Sequence, residues 1–135
     1  MKLNELNIKD KKLFDCFLGL KEHSLSPYAF ANIYIWKAIF KVYWALLEDC
    51  LCVFFKDNCG CFLYLPAQAK KLNPRAIEQA FDILDKLNKN KEISRIENIE
   101  EDDLPFYRNL GYQCREKPGD YICGRDDLSG LKGDK

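Results

Sequence analysis

Cys50-Leu51-Cys52 and Cys59-Gly60-Cys61 are the residues whose type and spacing first invite chemistry. Four thiolates about 2.3 Å from one ion would make a structural zinc site. The chain between the two pairs tests that idea. Residues 51–55 read as a strand, and Asp57-Asn58 is a two-residue turn signal. Such a hairpin pairs Lys56 with Cys59, Phe54 with Cys61 and Cys52 with Leu63. Cys50 and Cys59 then stand at opposite ends of the ribbon, about six steps of roughly 3.3 Å apart. No single ion spans that. Cys-x-Cys also departs from the usual Cys-x2-Cys knuckle, so the expectation is buried apolar thiols and no metal site.

The other reactive types are isolated. His23 is the single histidine, beside Ser24 and near Ser26. A Ser–His pair needs an orienting acid and oxyanion donors, and Glu22 next to it in sequence supplies no such geometry. Cys16 follows Asp15 on a helix, with no base to activate it. Glu100-Glu101-Asp102-Asp103 places four acids at a helix start, where negative charge is favoured. Trp36 and Trp44 are expected in the core rather than as a ligand platform.

The elements that must position these residues belong to one domain. The chain has 135 residues and 15.8 kDa, enough to bury a core without disulfide or metal staples. Hydrophobic residues at 47% and charged residues at 31% exclude a disordered chain. Twenty-one basic residues offset 21 acidic ones, which removes the basic face expected of a nucleic-acid binder. The first ten residues carry no apolar run or cleavage site, and the seven cysteines are scattered and odd in number. Reduced thiols in the cytoplasm are therefore expected. Residues 28–47 have the length of a membrane span, but Asn32, Lys37 and Lys41 interrupt them. Each central Lys costs about 2.5–3.5 kcal/mol to insert. A helix followed by a strand is expected there, with no transmembrane span.

Periodicity gives the order of elements. Residues 2–8 read as an edge strand, 10–21 as a helix with Leu13, Phe14, Phe17, Leu18 and Leu20 at helical spacing, and 28–36 as a second helix. Strands follow at 41–47, 51–55 and 61–65, as an antiparallel meander. Asn73-Pro74 starts a helix that gives way at Asn90, its stripe being Ile77, Ala80, Phe81, Leu84 and Leu87. A strand at 93–99, a short helix closed by Gly111, and strands near 112–115 and 120–123 complete the chain.

That order, β-α-α-β-β-β-α-β-α-β-β, resembles the fold of the GCN5-related N-acyltransferases. The implied class is α/β of the α+β type: a mixed, mostly antiparallel sheet flanked by helices. Phe106-Tyr107-Arg108-Asn109-Leu110-Gly111-Tyr112 looks like the aromatic-Tyr-x-x-x-Gly-aromatic turn of that fold. Two segments resemble one bacterial family more closely, the uncharacterised proteins related to the C-terminal domain of phosphatidylglycerol lysyltransferase. Ser26-Pro27-Tyr28-Ala29-Phe30-Ala31-Asn32-Ile33-Tyr34-Ile35-Trp36-Lys37 is similar to its Phe-x-Asn-Leu-Tyr-x-Trp-Arg segment. Asp120-Tyr121-Ile122-Cys123, with Asp127-Leu128 and Leu131-Lys132-Gly133, resembles its Asp-Tyr-hydrophobic segment leading to Asp-Leu and Leu-x-Gly-Lys. Pro27, Cys123 and Asp134 depart from that pattern.

The resemblance implies the first of two joined domains, residues 1–124, with 125–135 opening a connection to a missing second domain or partner subunit. It implies transfer of an aminoacyl group from aminoacyl-tRNA to a lipid or amine acceptor by the complete protein. Acyl-CoA transfer in this fold uses a glycine-rich loop before the third helix, and residues 66–74 contain no glycine. Lys70 and Lys71 are the phosphate-attracting candidates there, and a solvated loop is expected instead. Tyr107 stands where some acyltransferases keep a general acid, and without a cofactor loop its ring is expected to pack. The expectation is a half-domain that needs no cofactor and is not catalytic alone. A stand-alone interaction or regulatory module on a degenerate acyltransferase fold, which self-association as a homo-oligomer would favour, and an atypical acyl-CoA N-acyltransferase are the alternatives.

Overall fold

The computed structural model describes residues 3–20, 27–117 and 120–125. Among them are strands β1 (Asn4–Glu5), β2 (Lys41–Leu47), β3 (Cys50–Lys56), β4 (Cys61–Leu63), β5 (Ile96–Ile99), β6 (Gln113–Lys117) and β7 (Asp120–Gly124). The helices are α1 (Lys11–Leu18), α2 (Phe30–Ile35), α3 (Pro74–Leu87) and α4 (Leu104–Asn109). The strands form one mixed sheet in the order β1-β2-β3-β4-β5-β7-β6. All neighbours are antiparallel except β4 and β5. The chain is thus α/β with a mostly antiparallel sheet, and its elements follow the order read from periodicity.

Alternation along the strands divides the core into two layers. Val42 opposite Phe55, and Trp44 opposite Val53, face α1 and α2, which contribute Phe14, Leu18, Phe30 and Ile33. Phe54, Cys52 and Leu63 face α3 and α4, which contribute Ile77, Phe81, Leu84 and Tyr107. Burying each such aliphatic or aromatic side chain stabilises the fold by about 1.5–3 kcal/mol. Asn73 starts α3 as expected, its Oδ1 accepting from the backbone N–H of Arg75 and of Ala76. Gly111 follows α4 with φ +93°, a conformation costly for any residue with a Cβ.

The β3–β4 connection departs from the expected two-residue turn. Lys56 pairs with Cys61 and Phe54 with Leu63, so residues 57–60 form the loop. Asp57 Oδ1 accepts from the N–H of Cys59 and of Gly60, which extends the turn beyond what a bare Asp-Asn pair would close. The expected strand at 93–99 is shorter as well. Asn90 caps a 3-10 turn at Lys91–Ile93, and pairing begins only at Ile96.

Beyond Leu63 the parallel β4–β5 ladder stops, and side chains take over. Asn98, at φ +58°, sits where the β5–β7 register shifts. Its Nδ2 donates to the Tyr64 carbonyl at 2.8 Å, and its own carbonyl accepts from the Tyr28 hydroxyl at 2.6 Å. Backbone groups that the ladder leaves open are satisfied inside the protein.

Candidate functional site

The connection from β4 to α3 holds the two lysine candidates. Tyr64 N–H bonds the Val53 carbonyl, and Gln68 exchanges both backbone bonds with Leu51, so this stretch stays attached to β3. Gln68 is buried and its Nε2 donates to the Pro66 carbonyl at 2.7 Å. Lys70 and Lys71 follow as exposed residues. At the α3 N-terminus, where a phosphate would need free N–H donors, Pro74 has none. Arg75 and Ala76 donate to the Asn73 side chain, and Ile77 donates to the Asn73 carbonyl. A cavity of ≈ 10 Å³ lies alongside, lined by Tyr28, Gln68, Glu100 and Asp103 among others. That is room for about one water and no more.

Tyr107 is fully buried on α4, its ring edge-on to Phe106 at 5.3 Å and to Tyr112 at 6.3 Å. Its hydroxyl has no hydrogen-bond partner among the described residues. Burial, with Asp103 as a lesser influence, holds the phenol pKa well above its ordinary value. The hydroxyl is a neutral group inside the core. It does not line the small cavity beside α3.

The cysteines separate by environment. Cys50, Cys52 and Cys61 are buried, whereas Cys16 and Cys59 are exposed. Desolvation raises the Cys50 and Cys52 pKa values and pushes Cys61 up to about 12, so these thiols stay protonated and unreactive. Among the described residues, no three His, Cys, Asp or Glu side chains converge as a metal set. The expectation of reduced thiols throughout needs one correction. Cys114 and Cys123 face each other in the β6–β7 ladder, Cα atoms 4.1 Å apart, and are joined as a disulfide. His23, Ser24 and Ser26, and the segment from Asp126 onward, lie outside the described residues.

One hollow has no counterpart in the sequence expectations. A groove of ≈ 720 Å³ runs between α2 and the sheet, with Trp36, Phe40, Phe55, Phe62 and Tyr64 as its aromatic wall. Phe40 lies 5.2 Å from Phe55, 5.9 Å from Phe62 and 5.8 Å from Trp36, ring to ring. Arg95 stacks over Phe62 at 4.2 Å and pairs with Glu97 at 2.6 Å. Trp36 thus lines a surface hollow, while Trp44 packs against Phe14 and donates its Nε1–H to Asp10. The alternation Phe62-x-Tyr64 opposite Phe55 was the available signal. No helix among the described residues is long and apolar enough to cross a membrane. Set against known proteins, the chain matches no family model, no curated protein and no solved structure.

Proposed function

We propose that this chain is a non-catalytic half-domain of an aminoacyltransferase-like protein, built on an acyltransferase-like fold. In this reading it supports a catalytic partner domain that moves an aminoacyl group from tRNA to a lipid or amine acceptor. The observation that carries the non-catalytic part is the α3 N-terminus. Its first N–H donors are taken by Asn73 or removed by Pro74. Satisfied donors disfavour a pyrophosphate there. The burial of Tyr107 adds to this, because a general acid must come within hydrogen-bond reach of the atom it protonates. The fold part is supported by the order of elements and by the Tyr107-to-Gly111 turn.

Calorimetry with acetyl-CoA, and incubation with aminoacyl-tRNA and phosphatidylglycerol vesicles, test the reading together. The expected result is no micromolar binding and no transfer by this chain alone. Micromolar acetyl-CoA binding that is lost in Lys70→Ala/Lys71→Ala would overturn it in favour of an acyl-CoA enzyme. Turnover of the aminoacyl group would overturn it directly.

A further inference from the structure

The groove between α2 and the sheet is walled by rings whose free surfaces differ. Phe55 and Tyr64 lie parallel at 4.0 Å, so each covers one face of the other. Arg95 covers a face of Phe62 at 4.2 Å. Phe40 meets Phe62 edge-on at 5.9 Å, and Trp36 meets Phe40 at 5.8 Å with the ring planes 61° apart. Trp36 and Phe40 stay partly exposed, and Ile35 beside them is 69% exposed. The wall therefore offers ring edges as well as ring faces. At ≈ 720 Å³ the groove is within the range of roughly 300–1,000 Å³ typical of small-molecule sites.

Charge and hydrogen bonding narrow the occupant. Glu97 lines the groove, but its Oε2 accepts from Arg95 Nε at 2.6 Å, and Arg95 Nη1 donates to the Ile93 carbonyl at 3.1 Å. A cationic ligand would have to displace Arg95 from Glu97, and an anionic one would have to displace Glu97 from Arg95. A quaternary ammonium also needs open ring faces, and those of Phe55, Phe62 and Tyr64 are partly taken. Asn98 lines the groove as a buried amide. A carbonyl only accepts, so Nδ2 is the atom that meets Tyr64, and Oδ1 is left as an acceptor. We propose that the groove binds an uncharged planar aromatic molecule carrying an N–H or O–H donor. Its ring packs edge-to-face or offset-stacked against Trp36, Phe40 and Phe62, and its donor meets Asn98 Oδ1. The inference is independent of the transferase reading, since α3 and Tyr107 take no part in it.

Unlabelled indole is the probe, titrated into the isotope-labelled chain and followed in proton–nitrogen correlation spectra. Trp36 and Trp44 give the protein's two indole N–H signals, and Trp44, whose Nε1–H donates to Asp10 at 3.0 Å, is the internal reference. Trp36→Leu assigns the two signals, or Trp44→Phe if that variant does not fold. The expected result is a saturable shift of the Trp36 signal at one indole per chain, with the Trp44 signal unmoved. N-methylindole, which lacks the donor, should bind about fivefold more weakly, the net worth of one hydrogen bond. Tryptamine and indole-3-acetate, which carry opposite charges, should both bind more weakly than indole. A Trp36 signal that does not move, or two signals that move together, would overturn the proposal. So would N-methylindole binding as well as indole, or either charged analogue binding more tightly. A Trp36 signal that shifts with protein concentration in the absence of ligand would assign the groove to a second copy of this chain and overturn it as well.

Discussion

Tyr107 concentrates the question of chemistry in one hydroxyl. The side chain is inside the layer formed by α3, α4 and the sheet, and its Oη finds no partner among the described residues. A buried hydroxyl without a hydrogen bond costs about 1–3 kcal/mol relative to its solvated state. Replacing it with hydrogen keeps the ring that packs against Phe106 and Tyr112 and removes that cost. Tyr107→Phe should therefore be neutral or stabilising by up to about 2 kcal/mol in urea unfolding. A loss of more than about 1 kcal/mol would mean that the hydroxyl makes a bond in solution. The raised pKa has the same root: a phenolate at this position would have no solvent and no cation to meet it.

At the scale of elements, Asn88 ties α3 to β4. It follows the last turn of α3, and its Oδ1 accepts from Cys61 N–H at 2.7 Å. Its Nδ2 donates to the Cys61 carbonyl and to Ser94 Oγ. Gly60 passes so close that a Cβ there would lie 2.5 Å from Asn88 Oδ1. Asn88→Ala leaves the buried backbone groups of Cys61 unpaired, and should destabilise the chain by about 2–4 kcal/mol in urea unfolding. Asn88→Asp should cost nearly as much, because a carboxylate cannot donate to the Cys61 carbonyl. A loss below about 1 kcal/mol for both would show that the bridge is not formed. The elements joined here were legible to different degrees in the sequence. Asn73-Pro74 states the start of α3 locally, through a cap and a fixed φ, and the aromatic and β-branched run at 41–47 states β2. The β3–β4 register was not legible, because it turns on Asp57 accepting two N–H groups rather than on the turn dipeptide. The aromatic groove was hidden for another reason: Trp36, Phe40, Phe55, Phe62 and Tyr64 meet only once three elements are packed. The Cys114–Cys123 pair likewise depends on a register that no local motif encodes.

For the molecule as a whole, the layer under α3 and α4 makes stability fall in alkali. Cys52, Cys61 and Tyr107 all belong to the layer under α3 and α4. Each has a folded-state pKa raised by burial above its ordinary value, 9.0 for the thiols and 10.0 for the phenol. A group whose folded pKa is raised holds its proton in the native state after the unfolded chain has released it. Stability is thus unaffected below the unfolded pKa and falls as pH rises toward the folded value. For the thiols that window opens near pH 9 and extends to about 12 for Cys61. By pH 10 each of Cys52 and Cys61 should cost roughly 1.4 kcal/mol relative to neutral pH, so that roughly 3 kcal/mol are lost together. Tyr107 adds to the loss only above pH 10. The urea midpoint followed by tryptophan fluorescence should accordingly be level from pH 7 to 8.5 and decline from pH 9 upward. Cys52→Ala and Cys61→Ala should each lower the midpoint at pH 7 and flatten the decline. A midpoint that stays level to pH 10.5 would place these thiols in contact with water, and the layer beneath α3 would not be the closed core from which their shifts arise.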